Sequence, residues 1–216
     1  MKENNWFDPF YIQSHLSEEE SNIQKNVRDF CNNELKPTVV ESNRKNEFDQ
    51  DLYPKFGSLG VLGQTVKTHG GSGTSNLAYG LVAYEFEKID SSYRSSISVQ
   101  SSLVIHPINE FGSQKQKDKY LPPLIKGEKI GCFGLTESEA GSDPASMKTS
   151  FKKTKDGYIL NGSKNWITNA PIADIFIIWA IEENKDHKNI KGFIIEKNTE
   201  GLNLSLIHIS EPTRRS

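Results

Sequence analysis

Cysteine is nearly absent: the 216-residue chain has two, Cys31 and Cys132. Two thiols cannot build a disulfide framework, and these show no metal-ligand spacing, so no metal site is expected. Long apolar runs are missing as well. The longest, Ile175 to Ile181, is 7 residues, against the roughly 20 that a bilayer-spanning helix needs. Neither sign of charge dominates: 26 Lys+Arg stand against 28 Asp+Glu, a net charge of -2. That balance lacks the basic footprint of a nucleic-acid binder. Met1 to Asn5 carries neither a secretory pattern nor an Arg-rich transit pattern. The expectation is a soluble, intracellular chain of one to two domains, long enough to bury a core without staples, with no membrane or nucleic-acid partner.

Arginine is scarce too. Of the 26 cations only five are Arg, and Arg94 is the sole one between Arg44 and Arg214. Arginine offers a planar fork of donors that grips a carboxylate or phosphate in a bidentate way, which lysine cannot do. Arg94 is therefore a candidate ligand for an anionic group. A salt bridge to Glu87 or Asp90 explains it equally well on spacing alone.

What is present reads as helices first. Ser17 and Glu20 form a capping box, and Ile23, Val27, Phe30, Cys31 and Leu35 recur at helical spacing until Pro37. Asp51 to Leu62 is a shorter candidate. His69 to Ser75, with three glycines, must be loop. Leu77, Ala78, Leu81, Val82, Phe86 and Ile89 form the wide apolar stripe of a buried helix. A further helix is expected from about Ser95 to Phe111, kinked near Pro107. Ser113 and Gln116 open a last, charged helix that Pro122-Pro123 should end.

Near Gly131 the character changes. Asp156-Gly157 and Asn161-Gly162 are hairpin-type turn dipeptides around the strand candidate Tyr158–Leu160. Lys164–Thr168, Ile175–Ala180 and Gly192–Glu196 are further strand candidates, the second apolar enough to be covered on both faces. The fold class is α+β: an all-α helical domain over 1–130, then the start of an antiparallel β-barrel or sandwich over 131–203. Residues 204–216, with two adjacent arginines, break both the Lys preference and the strand rhythm. They look like translated adapter sequence and are expected to be non-native.

Most small signals have bland explanations. The glycine-rich loop at His69–Thr74 lacks the Gly-Lys-Ser/Thr ending of a phosphate loop and follows no strand. The five histidines are scattered and read as structural. Two segments are more specific. Cys132-Phe133-Gly134-Leu135-Thr136-Glu137-Ser138-Glu139-Ala140-Gly141-Ser142-Asp143 combines hydroxyls with small residues that let backbone N–H groups approach a flat ligand. Trp166-Ile167-Thr168-Asn169 sets a stacking ring two residues before a hydroxyl donor.

Together the two segments resemble the acyl-CoA dehydrogenase family, flavoproteins that oxidise acyl-CoA thioesters. The Leu-Thr-Glu-x-x-x-Gly-Ser-Asp and Trp-Ile-Thr-Asn stretches carry the resemblance, which covers about residues 6 to 203. The Glu85–Leu103 segment, with Tyr93-Arg94-Ser95, is similar to the glutaryl-CoA branch of that family. The resemblance implies an FAD cofactor held by Phe133, Gly134, Leu135, Thr136, Glu137, Gly141 and Ser142 and covered by Trp166, Ile167 and Thr168. It implies that Arg94, Ser95 and Ser98 face the distal carboxylate of glutaryl-CoA, with Ser142 near the CoA moiety. Glu87 has a structural reading instead, as a buried partner of Arg94 rather than a base.

The implied reaction is oxidation and decarboxylation of glutaryl-CoA to crotonyl-CoA, as in lysine and tryptophan degradation. Electrons pass to electron-transfer flavoprotein, and the full-length enzyme is a homotetramer. The family's glutamate base lies in a C-terminal helical bundle beyond residue 203. The chain is therefore expected to be an N-terminal fragment, inactive alone, with no catalytic base of its own. Bacterial cytoplasm is the expected compartment, or the mitochondrial matrix in a eukaryote. Two alternatives remain open at this stage: a dehydrogenase of another short-chain or branched acyl-CoA, and a non-catalytic binding module that keeps the fold without flavin.

Overall fold

The computed structural model describes Asp8 and residues 10–183 and 189–204. The N-terminal pentapeptide and residues 205–216 of the suspected non-native tail lie outside the described residues. Among the described residues, seven α-helices precede a five-stranded sheet.

Ser17 starts α1 (Glu18–Phe30) as its sequence promises. Its Oγ accepts from Glu20 N at 3.2 Å, and its own N–H donates to Glu20 Oε2 at 3.0 Å. These bonds satisfy donors that a helix start leaves orphaned. The helix runs on into wider π-turns over Cys31–Leu35. Val27, Cys31 and Leu35 all point into the core. They pack with α3 (Leu52–Ser58) and α4 (Asn76–Glu87) around an aromatic cluster. Phe56 meets Phe86 edge-on at 5.3 Å, and Phe30 meets Phe56 at 6.0 Å. α3 is shorter than the expected Asp51–Leu62. Leu77, expected on the buried stripe of α4, is 47 % exposed because it sits on the solvent side of the first turn.

The charged side of the α1–α4 contact is equally ordered. The Glu85 carboxylate is buried and receives Gln24 Nε2 at 2.9 Å, Arg28 Nη2 at 2.9 Å and Lys88 Nζ at 3.2 Å. Burial alone would raise its pKa, but the bonds from Arg28 and Lys88 outweigh that and hold it below the usual range.

The helix expected over 95–111 begins earlier and is not uniform. After α2 (Val39–Lys45), α3 and α4, helix α5 (Ser91–Ser98) is capped by Asp90, whose Oδ1 accepts from Ser92 N at 2.8 Å. Wider π-turns over Val99–Ile105 then lead into α6 (His106–Phe111). Pro107 falls in the first turn of α6, where a missing N–H costs least. Pro122 and Pro123 do not end the next helix, α7 (Gln114–Ile125); they lie inside it. Buried Leu121, Leu124 and Ile125 hold the last turn against the core. The carbonyls of Pro122 and Pro123 accept from Lys126 N at 3.0 Å and Glu128 N at 2.9 Å, so the turn closes around them.

Gln100, fully buried on the π-turns, ties the helices to the sheet. It donates to Leu124 O at 3.0 Å and Lys129 O at 2.9 Å and accepts from Gly131 N at 2.7 Å. Gly131 opens β1 (Gly131–Gly134) against Val104, whose Cγ1 would lie 2.5 Å from any Cβ there. The other strands are β2 (Ser150–Lys153), β3 (Tyr158–Asn161), β4 (Ile175–Glu182) and β5 (Ile190–Glu196).

The helix-then-sheet order stands, but the sheet is mixed rather than a purely antiparallel meander. β4 pairs antiparallel with β5 on one edge, from Ile175 opposite Glu196 to Ile181 opposite Ile190. Its other edge takes β1 and then β2, both parallel. Long loops between these strands return the chain to the same end, which makes parallel pairing possible. Asp156-Gly157 does turn the β2–β3 hairpin, with Thr154 N donating to Gly157 O at 2.9 Å. Asn161-Gly162 does not; there the chain leaves the sheet. Lys164–Thr168 is not a strand either, because Trp166 (φ 60°) and Asn169 (φ 70°) take left-handed backbone. Ile175 and Ile177 of β4 join the helical core, so one apolar interior spans both halves.

Candidate active site

Two loops carry the sequence motifs, and the fold lays them side by side. The first continues β1 through Leu135, Thr136 and Glu137. The second is Lys164–Asn169. Asn165 N donates to Thr136 O at 2.9 Å, and Lys164 Nζ donates to Leu135 O at 2.9 Å. Beneath them the Lys164 ammonium meets Glu137 Oε1 at 2.7 Å, with both side chains over nine-tenths buried.

Glu137 is expected to hold a cofactor, and here the structure corrects the expectation for its side chain. Oε1 takes Lys164 and Thr149 N, at 2.7 and 3.0 Å, and Oε2 takes Lys148 N at 2.7 Å. Both oxygens are committed inside the protein. Burial pushes the carboxyl pKa up, but the bonds from Lys164, Thr149 and Lys148 prevail and hold it at about 2. Glu137 is a structural anion that pins the two loops to each other.

On the outer side of this pin the groups are uncommitted. Trp166 is 60 % exposed despite being a large aromatic. Its left-handed backbone is uncommon for a bulky residue and holds the ring outside the core. Thr136 and Thr168 are half-buried, and neither hydroxyl is bonded among the described residues. Ile167 is buried beneath them with Cys132, Ala170 and Phe176. Phe133 is half-buried, its ring 5.9 Å from Trp179. Gly134 approaches its neighbours closely: a Cβ would lie 2.5 Å from Ile178 Cδ1. Gly141 and Ser142 sit in an exposed turn, with open space at the missing Gly141 Cβ.

Helix α5 brings the other candidates. Arg94 Nε donates to Glu87 Oε2 at 2.7 Å, with side-chain exposures of 39 % and 49 %. Glu87 is therefore the partner that spacing suggests, but it is not buried. Its contact uses Nε alone; among the described residues no bond is made from the two terminal nitrogens, which leaves one edge of the guanidinium fork presented. Ser95 and Ser98 are half-buried on the same helix, their hydroxyls unbonded among the described residues. Asp90, the other suggested partner, is occupied by Ser92 and Asn43.

Sequence reasoning missed the link between α5 and the second loop. Ser96 and Asn169 are both buried and directly bonded at 3.2 Å. Asn169 lies inside a quoted motif, so a buried polar role was signalled there, but its partner is distant in the chain. Cys132 is buried, and burial pushes its thiol far above the ordinary range, which makes it inert. Among the described residues no cluster of His, Cys, Asp or Glu is placed to hold a metal ion, and no helix is long and apolar enough to cross a membrane.

Residues 17–128 match the N-terminal domain of acyl-CoA dehydrogenases, and residues 132–214 match the middle domain of the same enzymes. The chain belongs to the acyl-CoA dehydrogenase family. It is similar to a short-chain-specific acyl-CoA dehydrogenase from Clostridium acetobutylicum, 38 % identical over 89 % of this chain and 52 % of that protein. It is also similar to the mitochondrial isovaleryl-CoA dehydrogenase of Pongo abelii, 39 % identical over 88 % of this chain and 46 % of the relative. Among solved structures, a glutaryl-CoA dehydrogenase from Mycobacterium smegmatis in complex with FADH2 superposes with a TM-score of 0.85. It is 40 % identical and is covered to 49 %, against 89 % of this chain. The chain thus spans about half the length of the relatives it matches.

Proposed function

We propose that this chain forms the helical and sheet portion of an FAD-dependent acyl-CoA dehydrogenase that acts on glutaryl-CoA. The reading rests on one observation above the others: the presented outer edge of Arg94 on α5, a helix bonded directly to Asn169 of the Lys164–Asn169 loop. A guanidinium whose Nε is already oriented by Glu87 is pre-set to take a carboxylate on its remaining donors. Ser95 and Ser98 supply further donors on the same face.

The paired loops suit a flavin. Unbonded hydroxyls at Thr136 and Thr168 offer donors to ring heteroatoms, exposed Trp166 offers a stacking face, and the open turn at Gly141–Ser142 leaves room for a phosphate-bearing chain. When bound, the flavin supplies a two-electron acceptor for the hydride from Cβ of the acyl group. Arg94, Ser95 and Ser98 would orient the acyl chain from its far end, and Ile167 would exclude water beneath the ring. The base that takes the α-proton is assigned outside these 216 residues, so the chain alone is expected to show no turnover. Electron-transfer flavoprotein as electron acceptor, decarboxylation to crotonyl-CoA, a homotetrameric full-length enzyme and a cytoplasmic setting belong to the same proposal.

A second reading is supported by the short-chain and isovaleryl relatives, which match at nearly the same identity. In it the substrate is a monocarboxylic acyl-CoA and the Arg94–Glu87 pair is only structural. Arg94→Lys, introduced in the enzyme completed with its remaining sequence, separates the two. A point charge replaces a fork, so kcat/KM for glutaryl-CoA should fall at least about tenfold while that for butyryl-CoA stays within about twofold. Equal losses on both would favour the second reading. A colourless full-length protein without a flavin absorbance band would sink both.

A further inference from the structure

The Trp166–Thr168 loop and helix α5 are far apart in sequence, yet one buried polar chain joins them. Tyr53 O–H, on α3, lies 2.6 Å from Ser96 Oγ. Ser96 Oγ donates to Asn169 Oδ1 at 3.2 Å. The Asn169 amide returns bonds to Ser96 O at 3.4 Å and Gly131 O at 3.2 Å. Relative exposures are 0 % for Tyr53, 2 % for Ser96 and 9 % for Asn169. Ser96 sits between Ser95 and the turn carrying Ser98, two residues beyond Arg94. Asn169 directly follows Thr168 and holds left-handed backbone at φ 70°. Asparagine tolerates that region better than most residues, and its short amide can bond at once to a helix carbonyl and to the start of β1.

We infer that Tyr53, Ser96 and Asn169 form a positioning strut that sets the distance between the acyl-binding helix and the loop that covers the cofactor. The catalytic part of this inference rests on the proposed function; the mechanical part does not. Bond-making geometry in such a reaction tolerates errors of only about 1 Å before rates fall steeply. Helix α5 touches the acyl end and the loop touches the ring, so their separation must be held by something rigid. A buried, mutually satisfied polar chain is rigid because breaking any member leaves a desolvated group without a partner. None of the three side chains reaches the reacting atoms; they act through Arg94, Ser95, Trp166 and Thr168.

Two variants of the 216-residue chain test the strut. Ser96→Ala removes the central hydroxyl, and because Ala is the better helix former, any loosening of α5 reports the lost bonds and not helix propensity. Asn169→Gly removes the amide while keeping the positive φ accessible. Amide hydrogen exchange should quicken about tenfold both in residues 94–98 and in residues 166–172, with α1 and α7 unchanged. If Asn169→Gly does not fold, Ser96→Ala decides alone. Faster exchange confined to α5, with the loop unaltered, would overturn the strut, since a merely local role in the helix predicts that. In the completed enzyme, Ser96→Ala should lower kcat about tenfold and leave KM for the acyl-CoA within about twofold. An unchanged kcat would overturn the catalytic part. If the unmodified completed enzyme lacks flavin or turnover, the proposed function fails, and the exchange data still decide the strut.

Discussion

Lys164–Glu137 and Arg94–Glu87, both acid–base pairs at the candidate site, behave in opposite ways. Lys164 and Glu137 are buried to 7 % and 8 % exposure and are hemmed by backbone donors. Arg94 and Glu87, at 39 % and 49 %, face solvent and touch through one nitrogen. In the first pair both carboxylate oxygens are bonded inside the protein, and the group is buried away from any ligand. In the second the cation keeps both terminal nitrogens in reserve. Similar contact distances, both 2.7 Å, therefore mark a rivet in one case and a presented hand in the other. What separates them is burial and the count of occupied donors.

The sharpest way to break this contrast is Lys164→Ala. It strands a buried carboxylate, and unfolding by urea should show a loss of about 3–5 kcal/mol. Loop residues 135–137 and 164–169 should lose exchange protection first. A loss below about 1 kcal/mol would mean that water reaches the pair and that it is no rivet.

The pH dependence follows from the same pair. The folded pKa of Glu137 is about 2, below its ordinary value of 4.5. A carboxylate held down in the folded state stabilises it above the unfolded pKa, and that contribution drains away as pH falls towards the folded pKa. Stability should therefore decline between about pH 4.5 and pH 2, with roughly 3 kcal/mol attributable to this group. Glu85, also held low, adds to the decline in the same direction. In Glu137→Gln the slope of unfolding free energy against pH across this window should shrink. An unchanged slope would assign acid sensitivity to Glu85 and the surface carboxylates instead.

These two pairs also show where sequence reading succeeded and where it stopped. Local chemistry was legible: Ser17 with Glu20 and Ser113 with Gln116 cap helices as expected, because a capping box needs only residues three apart. Isolated Arg94 stood out by composition, and both long motifs fall on adjoining loops. Tertiary choices were not legible. Pro122 and Pro123 remain inside α7 because Leu124 and Ile125 are buried beyond them, which propensity alone cannot weigh. Lys164–Thr168 carries strand-like residues but folds as an irregular loop around Trp166. The parallel pairing of β1 and β2 with β4 is set by long connections, and turn dipeptides report only local reversals. Glu137 lay inside a quoted motif and Lys164 at the start of a strand candidate, yet nothing in their spacing tied one to the other.

The smallest expected effect is the most discriminating. Arg94→Ala removes a half-exposed ion pair whose partner stays in water, so unfolding free energy should change by less than about 0.5 kcal/mol. That near-silence is the point of the comparison. If Arg94 were kept for stability, its loss would be felt in urea; if it is kept for a ligand, the fold should not notice. A destabilisation of about 2 kcal/mol or more would place Arg94 with Lys164 as a structural cation and withdraw its claim on a substrate carboxylate. Raised salt offers a control on the wild-type chain, because solvent-exposed pairs weaken once charges are screened over about 8 Å at physiological ionic strength, while the buried pair is screened much less.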